Sequence, residues 1–441
     1  MATPLQPGTK LVRAIGRWGL IALMVNVVIG SGIFGLPSKV TALLGSYGPW
    51  AYLAAAAGVG VIMACFAEVA SQFAEAGGPY LYARVAYGRF WGIQVGWLTW
   101  LVRLTSGAAN ANVFVQYLAE FVPVANQGVV RAAVLAVLLG GLAAINIRGV
   151  KAGTNVSSFF AVAKLLPLAV FIVLGLALVH GPGPASLATL TAPGAPSGKD
   201  WLSAILLLVF AYGGFEGALM PMGEARNTRR DVPFALFASL ATCTVIYTLI
   251  QVVVLRALGP TAIADRPLAE AARLFLGPAG AVFLSAGALI SVYGHLSSQM
   301  LNSPRLTFAL AERGDFPTVF AAVSQKFHTP YISILTFAVV MYALAVGGSF
   351  TWNVILSAVA RLLTYGIVCT AVLTLRRKQP HADAFRLPAA PVWSGLGVLF
   401  VLVLALRMGR GEMMAIVATM AVALANWIWA RRRPSAAAGP A

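Results

Sequence analysis

Apolar residues run through this chain in blocks of about twenty, separated by short polar connections, with neither strict alternation nor a single apolar helical face. A block of that length, wound as a helix, matches the roughly 30 Å hydrocarbon layer of a bilayer. Twelve blocks are recognisable, at about 18–44, 50–75, 91–119, 129–147, 155–179, 201–222, 234–257, 279–302, 331–346, 354–375, 391–407 and 412–430. Two shorter mixed segments, 77–90 and 303–317, read as interfacial or re-entrant helices. A membrane β-barrel would show short alternating strands, which this pattern lacks. The expectation is an all-α polytopic membrane protein with 12 transmembrane helices.

Composition agrees. Of 441 residues, 59% are hydrophobic and 10% charged, with a mean hydropathy of +0.84, so little chain remains for a separate soluble domain. The net charge of +18 invites a nucleic-acid partner, but the basic residues lie between spans, where orientation signals belong. Lys10, Arg13, Arg17, Arg84, Arg89, Arg148 and Lys151 fall on one side of the membrane, as do the clusters at 226–230, 305–326, 376–386 and 431–433. The sparser set of Lys39, Arg131, Lys199, Arg256, Arg266, Arg273, Arg407 and Arg410 falls on the other. That bias puts both termini in the cytoplasm, as an even number of spans requires. The expected setting is a bacterial inner (cell) membrane, with lipids as partners and no nucleic acid. Cys65, Cys243 and Cys369 lie in apolar runs without metal-ligand spacing, and the four histidines are dispersed, His295 reading as a packing residue. No metal and no cofactor are expected.

Two blocks interrupt themselves. NVVIGSGIFGLP (26–37) puts three glycines, a serine and a proline inside the first span, and FAYGGFEGALMP (210–221) puts a glycine pair, an acid and another glycine inside the sixth. Backbone groups left unpaired in hydrocarbon cost several kcal/mol each, so such a break needs a compensating partner. One glycine-rich stretch is explained by close helix packing. Two at matching positions of two halves point to a transporter with inverted repeats and a midplane substrate site. Unwinding frees the amides of Gly30, Ser31 and Gly32 at the positive end of the following half-helix, suited to a carboxylate. Carbonyls ending the preceding half-helix, and those around Phe210, Ala211 and Gly213, suit an ammonium group. A ligand carrying both groups close together is an α-amino acid.

On these residues the chain resembles the amino acid–polyamine–organocation superfamily of permeases. The resemblance rests on IGSGIF (29–34), AEVASQFAEAGGPYLYARVAYG (67–88), FAYGGFE (210–216), GEARNTRRDVPFAL (223–236) and SPRLTFALAERGDFP (303–317), in that order. It implies a LeuT-type 5+5 inverted repeat plus two extra helices, with helices 1 and 6 discontinuous. The first repeat would occupy 18–179, the second 201–375 and the added pair 391–430, between cytoplasmic tails at 1–17 and 431–441. It further implies carboxylate-binding amides at Ser31 and Gly32, with Gly30 allowing close approach, and amine-binding carbonyls at Val28 or Ile29, Phe210 and Gly213. Phe210 would also be an aromatic gate. Asn26 departs from the glycine many members carry.

Charges within spans are functional candidates because each costs at least about 2.5–3.5 kcal/mol to insert. Lys164 lies in the fifth span; the resemblance implies a tethered cation filling the position that sodium takes in sodium-coupled relatives. Ser297 and Ser298, in the eighth span, are candidate hydroxyl or carbonyl partners for the ammonium. A buried lysine can also carry a proton. Glu216, beside the second break, suits either gating with proton coupling or a structural hydrogen bond. Glu68 suits a structural or gating role. Arg103 stays charged and must find a carboxylate, carbonyls or water: either it pairs with Glu216, or it meets an acidic substrate side chain. Arg361 is expected toward an outer vestibule, in an extracellular gate. With no spare buried acid besides Glu216, the expected substrates are neutral amino acids; cationic amino acids or polyamines are the alternative, as is export or exchange in place of uptake. A membrane enzyme would need a carboxylate pair, a histidine cluster or a nucleophile with its base, and the sequence presents none.

Overall fold

The computed structural model describes residues 16–73, 77–149, 154–181, 183–186, 189, 194–219, 227–380 and 384–431, with the backbone alone for 154–163. Lys10, Arg13, Lys151, Arg226, Arg432 and Arg433, and parts of the 67–88 and 223–236 stretches, lie outside the described residues. Within them the chain is helical and contains no strand. In order the helices are α1 (Arg17–Val28), α2 (Gly32–Leu44), α3 (Gly48–Ser71), α4 (Gly78–Tyr87), α5 (Arg89–Leu118), α6 (Gly128–Arg148) and α7 (Thr154–Leu178). They continue as α8 (Gly198–Tyr212), α9 (Phe215–Ala218), α10 (Thr228–Leu258), α11 (Pro267–Glu312), α12 (Tyr331–Gly347), α13 (Phe350–Lys378), α14 (Ala390–Ala405) and α15 (Arg410–Ala430). Seven helical segments are long and apolar enough to cross a bilayer, which makes this an integral, polytopic membrane protein.

Local signals set the helix ends. Ser197 opens α8 with a reciprocal cap: its hydroxyl accepts from the Asp200 amide at 3.3 Å, and the Asp200 carboxylate accepts from the Ser197 amide at 2.9 Å. Asn227 and Ser349 cap α10 and α13 in the same sense, each accepting from an amide three residues on. Pro49, Pro79 and Pro267 stand in first turns, where a missing N–H costs nothing. One expectation is corrected. The segment at 303–312 is no separate interfacial helix but the continuation of α11 through Pro304, while α4 does form a short helix of its own. The break in that region comes instead at Gly277, whose φ of +70° turns the chain before the long apolar run begins.

Layering follows burial. The apolar windows of Gly198–Ala218 and Phe350–Lys378 are 72% buried inside the protein, whereas those of Gly128–Arg148 and Arg410–Ala430 are 22% buried. The first pair therefore forms the centre and the second lies at the periphery. Helix α5 packs against α13, α11, α12 and α15, and α10 packs against α1 and α3. Inside this frame α2 lies on α8 and α1 on α9, so the two interrupted segments adjoin.

Candidate functional site

The first interruption opens between Val28 and Gly32. Ile29 turns extended (φ −73°, ψ 93°), and α2 begins afresh at Gly32. A new helix start leaves its first amides without intrahelical acceptors. The Ser31 carbonyl accepts from Phe34 and Gly35 at 3.1 and 3.0 Å, which anchors that start. The second interruption lies at Gly213 and Gly214. Gly213 is extended (φ −78°, ψ 169°) and Gly214 has φ +107°, a conformation that L side chains rarely adopt.

The breaks touch. A Cβ on Gly32 would sit 3.0 Å from Ala211 Cα, and one on Gly214 would sit 3.1 Å from the Val27 carbonyl oxygen. Tyr247 of α10 ties them together, its hydroxyl reaching the Val28 carbonyl at 3.1 Å and the Ala211 carbonyl at 3.3 Å. From the other side, the Lys164 ammonium donates to the carbonyls of Asn26 and Ile29, the latter at 2.9 Å. A cation at the carbonyl end of a half-helix meets the negative end of its dipole.

A small cavity, open on one side, lies between the breaks. The first break contributes Val28, Gly30, Ser31 and Gly32 to its wall, and the second contributes Phe210, Ala211 and Gly213. Helices α5, α11 and α13 add Arg103, Ser106, Asn110, His295, Gln299 and Arg361. Ile29 is fully buried beside it.

Several polar contacts were not legible beforehand. The Ser31 amide donates to Asn110 Oδ1 at 3.2 Å, and His295 lines the cavity instead of merely packing. Arg361, expected toward an outer vestibule, borders the cavity with Nε 3.3 Å from Glu216 Oε1. The other Glu216 oxygen accepts from the Tyr365 hydroxyl at 2.8 Å and the Gly214 amide at 2.9 Å. Glu216 is thus the partner of Arg361, and no ion pair joins it to Arg103 among the described residues. Neither Ser297 nor Ser298 is hydrogen-bonded to Lys164; Ser298 is exposed and accepts from Asn302 at 3.3 Å. Only a structure shows these pairings, because each joins helices far apart in sequence.

Glu68 lies away from the cavity, fully buried. It is held by Arg376 in a two-pronged pair at 2.6 and 2.7 Å and accepts from the Leu387 amide at 2.9 Å. At the same end of the bundle, Asp315 meets Arg84, Arg89 and the Tyr80 hydroxyl. Burial, and then the charge of Asp315, pushes the Tyr80 hydroxyl up to about 12, so it stays a donor at neutral pH. The opposite end has its own cluster, with Glu120 between Arg266 and Arg273.

A family model described as amino acid permease matches residues 15–429. The chain is 29% identical to the serine/threonine exchanger SteT of Bacillus subtilis over 341 residues, covering 74% of each chain. It is 27% identical to the methylthioribose transporter of the same organism over 407 residues, covering 87% of this chain and 86% of that one. It is 28% identical to cationic amino acid transporter 4 of Mus musculus over 402 residues, 87% of this chain and 63% of the mouse protein. Matched by the family model along nearly its whole length, with two adjoining helix breaks around a polar cavity, the chain belongs to the amino acid permeases of the amino acid–polyamine–organocation superfamily.

Proposed function

We propose that this permease is a sodium-independent secondary transporter of amino acids, working by alternating access around Ser31, Gly32, Phe210 and Gly213. The observation that carries this is the meeting of two open helix ends at one buried cavity. Amides at the start of α2 suit a carboxylate, and carbonyls at the ends of α1 and α8 suit an ammonium. The placement of the Lys164 ammonium on the Asn26 and Ile29 carbonyls supports the sodium-independent part. A fixed cation already meets the carbonyl dipoles that a metal ion would need. Glu216 and Lys164 are the groups we assign to coupling and gating, with protons as the candidate coupled ion, and Glu68 to gating. We read the topology as twelve spans, with inverted repeats at 18–179 and 201–375, an added pair at 391–430, and both termini in the cytoplasm of a bacterial inner membrane.

The test is uptake of labelled amino acids by the purified protein in proteoliposomes, with choline replacing sodium. Uptake at an undiminished rate is expected. An absolute requirement for sodium overturns the tethered-cation assignment, and failure to move any of the twenty amino acids overturns the transport reading itself. Vesicles preloaded with unlabelled substrate separate exchange from net uptake.

A further inference from the structure

We propose that the cavity selects amino acids with an acidic side chain, and that Arg103 is the residue that selects them. This rests on the amino-acid reading above and narrows it. The charged residues lining the cavity are Arg103 and Arg361, and no carboxylate joins them on its wall among the described residues. Arg361 is already matched by Glu216, 3.3 Å away. Glu216 lies within electrostatic reach of both guanidiniums, but its one negative charge can neutralise only one of the two, and its second oxygen already accepts from Tyr365 and from the Gly214 amide.

Arg103 is left over. Its carbonyl accepts from Gln299 Nε2 at 3.2 Å, but its guanidinium has no hydrogen bond or ion pair to any described residue. The group stands against the second break, close enough that a Cβ on Gly217 would lie 2.5 Å from Nη2 and 3.1 Å from Nη1. A guanidinium does not lose its proton in a protein, so this charge persists at every working pH. Deep in a membrane span it calls for an anion.

The substrate can supply that anion. A neutral amino acid is a zwitterion and adds no net charge, which leaves Arg103, Arg361 and Glu216 together with one positive charge in excess. A cationic amino acid makes the imbalance worse. Aspartate or glutamate brings a second carboxylate whose two oxygens fit the guanidinium fork, while its α-carboxylate uses the freed amides at the first break. The neutral class expected from sequence was drawn from the lack of an acid to receive a cationic side chain. That lack leaves acidic side chains equally open, and the leftover arginine decides between the two.

The experiment uses the full-length protein in proteoliposomes. L-aspartate and L-glutamate compete against labelled substrate beside their near-isosteric amides, L-asparagine and L-glutamine. Loss of one charge-assisted hydrogen bond separates acid from amide by at least about tenfold, so wild type should prefer the acid by that factor. Arg103→Gln should abolish or reverse the preference, and Arg103→Lys should keep part of it. Wild type moving the amides as well as the acids overturns the proposal while leaving the transport reading intact, and that comparison needs no variant to fold. An Arg103→Gln protein that still prefers acids overturns the role of Arg103. Failure to transport any amino acid overturns the broader reading instead.

Discussion

Gly213→Ala probes the closest approach in the site. Gly213 has φ −78° and ψ 169°, a backbone conformation alanine adopts freely, so the substitution adds no backbone strain. The cost comes entirely from space. A Cβ at this position would overlap the Arg361 guanidinium and stand 2.8 Å from Arg361 Cδ. The end of Arg361 must therefore move away from Glu216 Oε1, now 3.3 Å from Nε, and from the Phe210 carbonyl at 3.5 Å. Separating a buried ion pair so that each charge is left without its partner costs about 3–5 kcal/mol. The expected outcome is a destabilisation of that size in detergent unfolding, with uptake reduced to background. A double-mutant cycle with Arg361→Ala sharpens the assay. Once the guanidinium is gone the methyl group has room, so Gly213→Ala should cost under about 1 kcal/mol in that background. Equal costs in both backgrounds, or a single variant with wild-type stability and uptake, would refute the close-approach account.

Three further outcomes follow from contacts already described. Lys164→Met keeps the side-chain length but removes the ammonium that holds the Asn26 and Ile29 carbonyls; uptake should fall to background in a protein that remains folded, and normal uptake would end its assigned role. Tyr247→Phe strips one hydroxyl from two buried carbonyls, at 3.1 and 3.3 Å. Stability should drop by about 1–3 kcal/mol, and an unchanged denaturation midpoint would show that the hydroxyl does not tie the breaks together. Glu68→Gln leaves Arg376 without its two-pronged anion and removes the charge facing Arg386. A loss of about 1–3 kcal/mol is expected in the same unfolding assay, with wild-type stability as the contrary result.

Sequence carried the large features because the bilayer constrains them so strongly. Length and hydropathy alone mark helices such as α6 and α15, which lie at the periphery and need little else from their neighbours. The glycine pairs marked both breaks, since few other residues tolerate the φ of +107° at Gly214 or the nearness of Ala211 to Gly32. Partnerships were harder. The depth of Arg361 along α13 is ambiguous in sequence without knowing which helix faces it, and for the same reason the sequence leaves the partner of Arg103 open between Glu216 and an acidic substrate side chain. Asn110 and His295 sit in runs that read as ordinary packing, yet both turn inward. The 303–317 segment was separated because its charges break the apolar pattern, although α11 continues through Pro304. Helical periodicity identifies a face; it does not identify what the face meets.

One contact bears on the cycle of the empty carrier. Asn110 Oδ1 takes the Ser31 amide at 3.2 Å, so a neutral oxygen from α5 stands in at one of the places meant for a charged one. On the function proposed above, an arriving carboxylate would displace or share that oxygen, because an ionised acceptor binds an N–H about twice as strongly as an amide oxygen does. With that amide already satisfied, the unloaded protein is spared about 1 kcal/mol of unpaired buried polarity at Ser31.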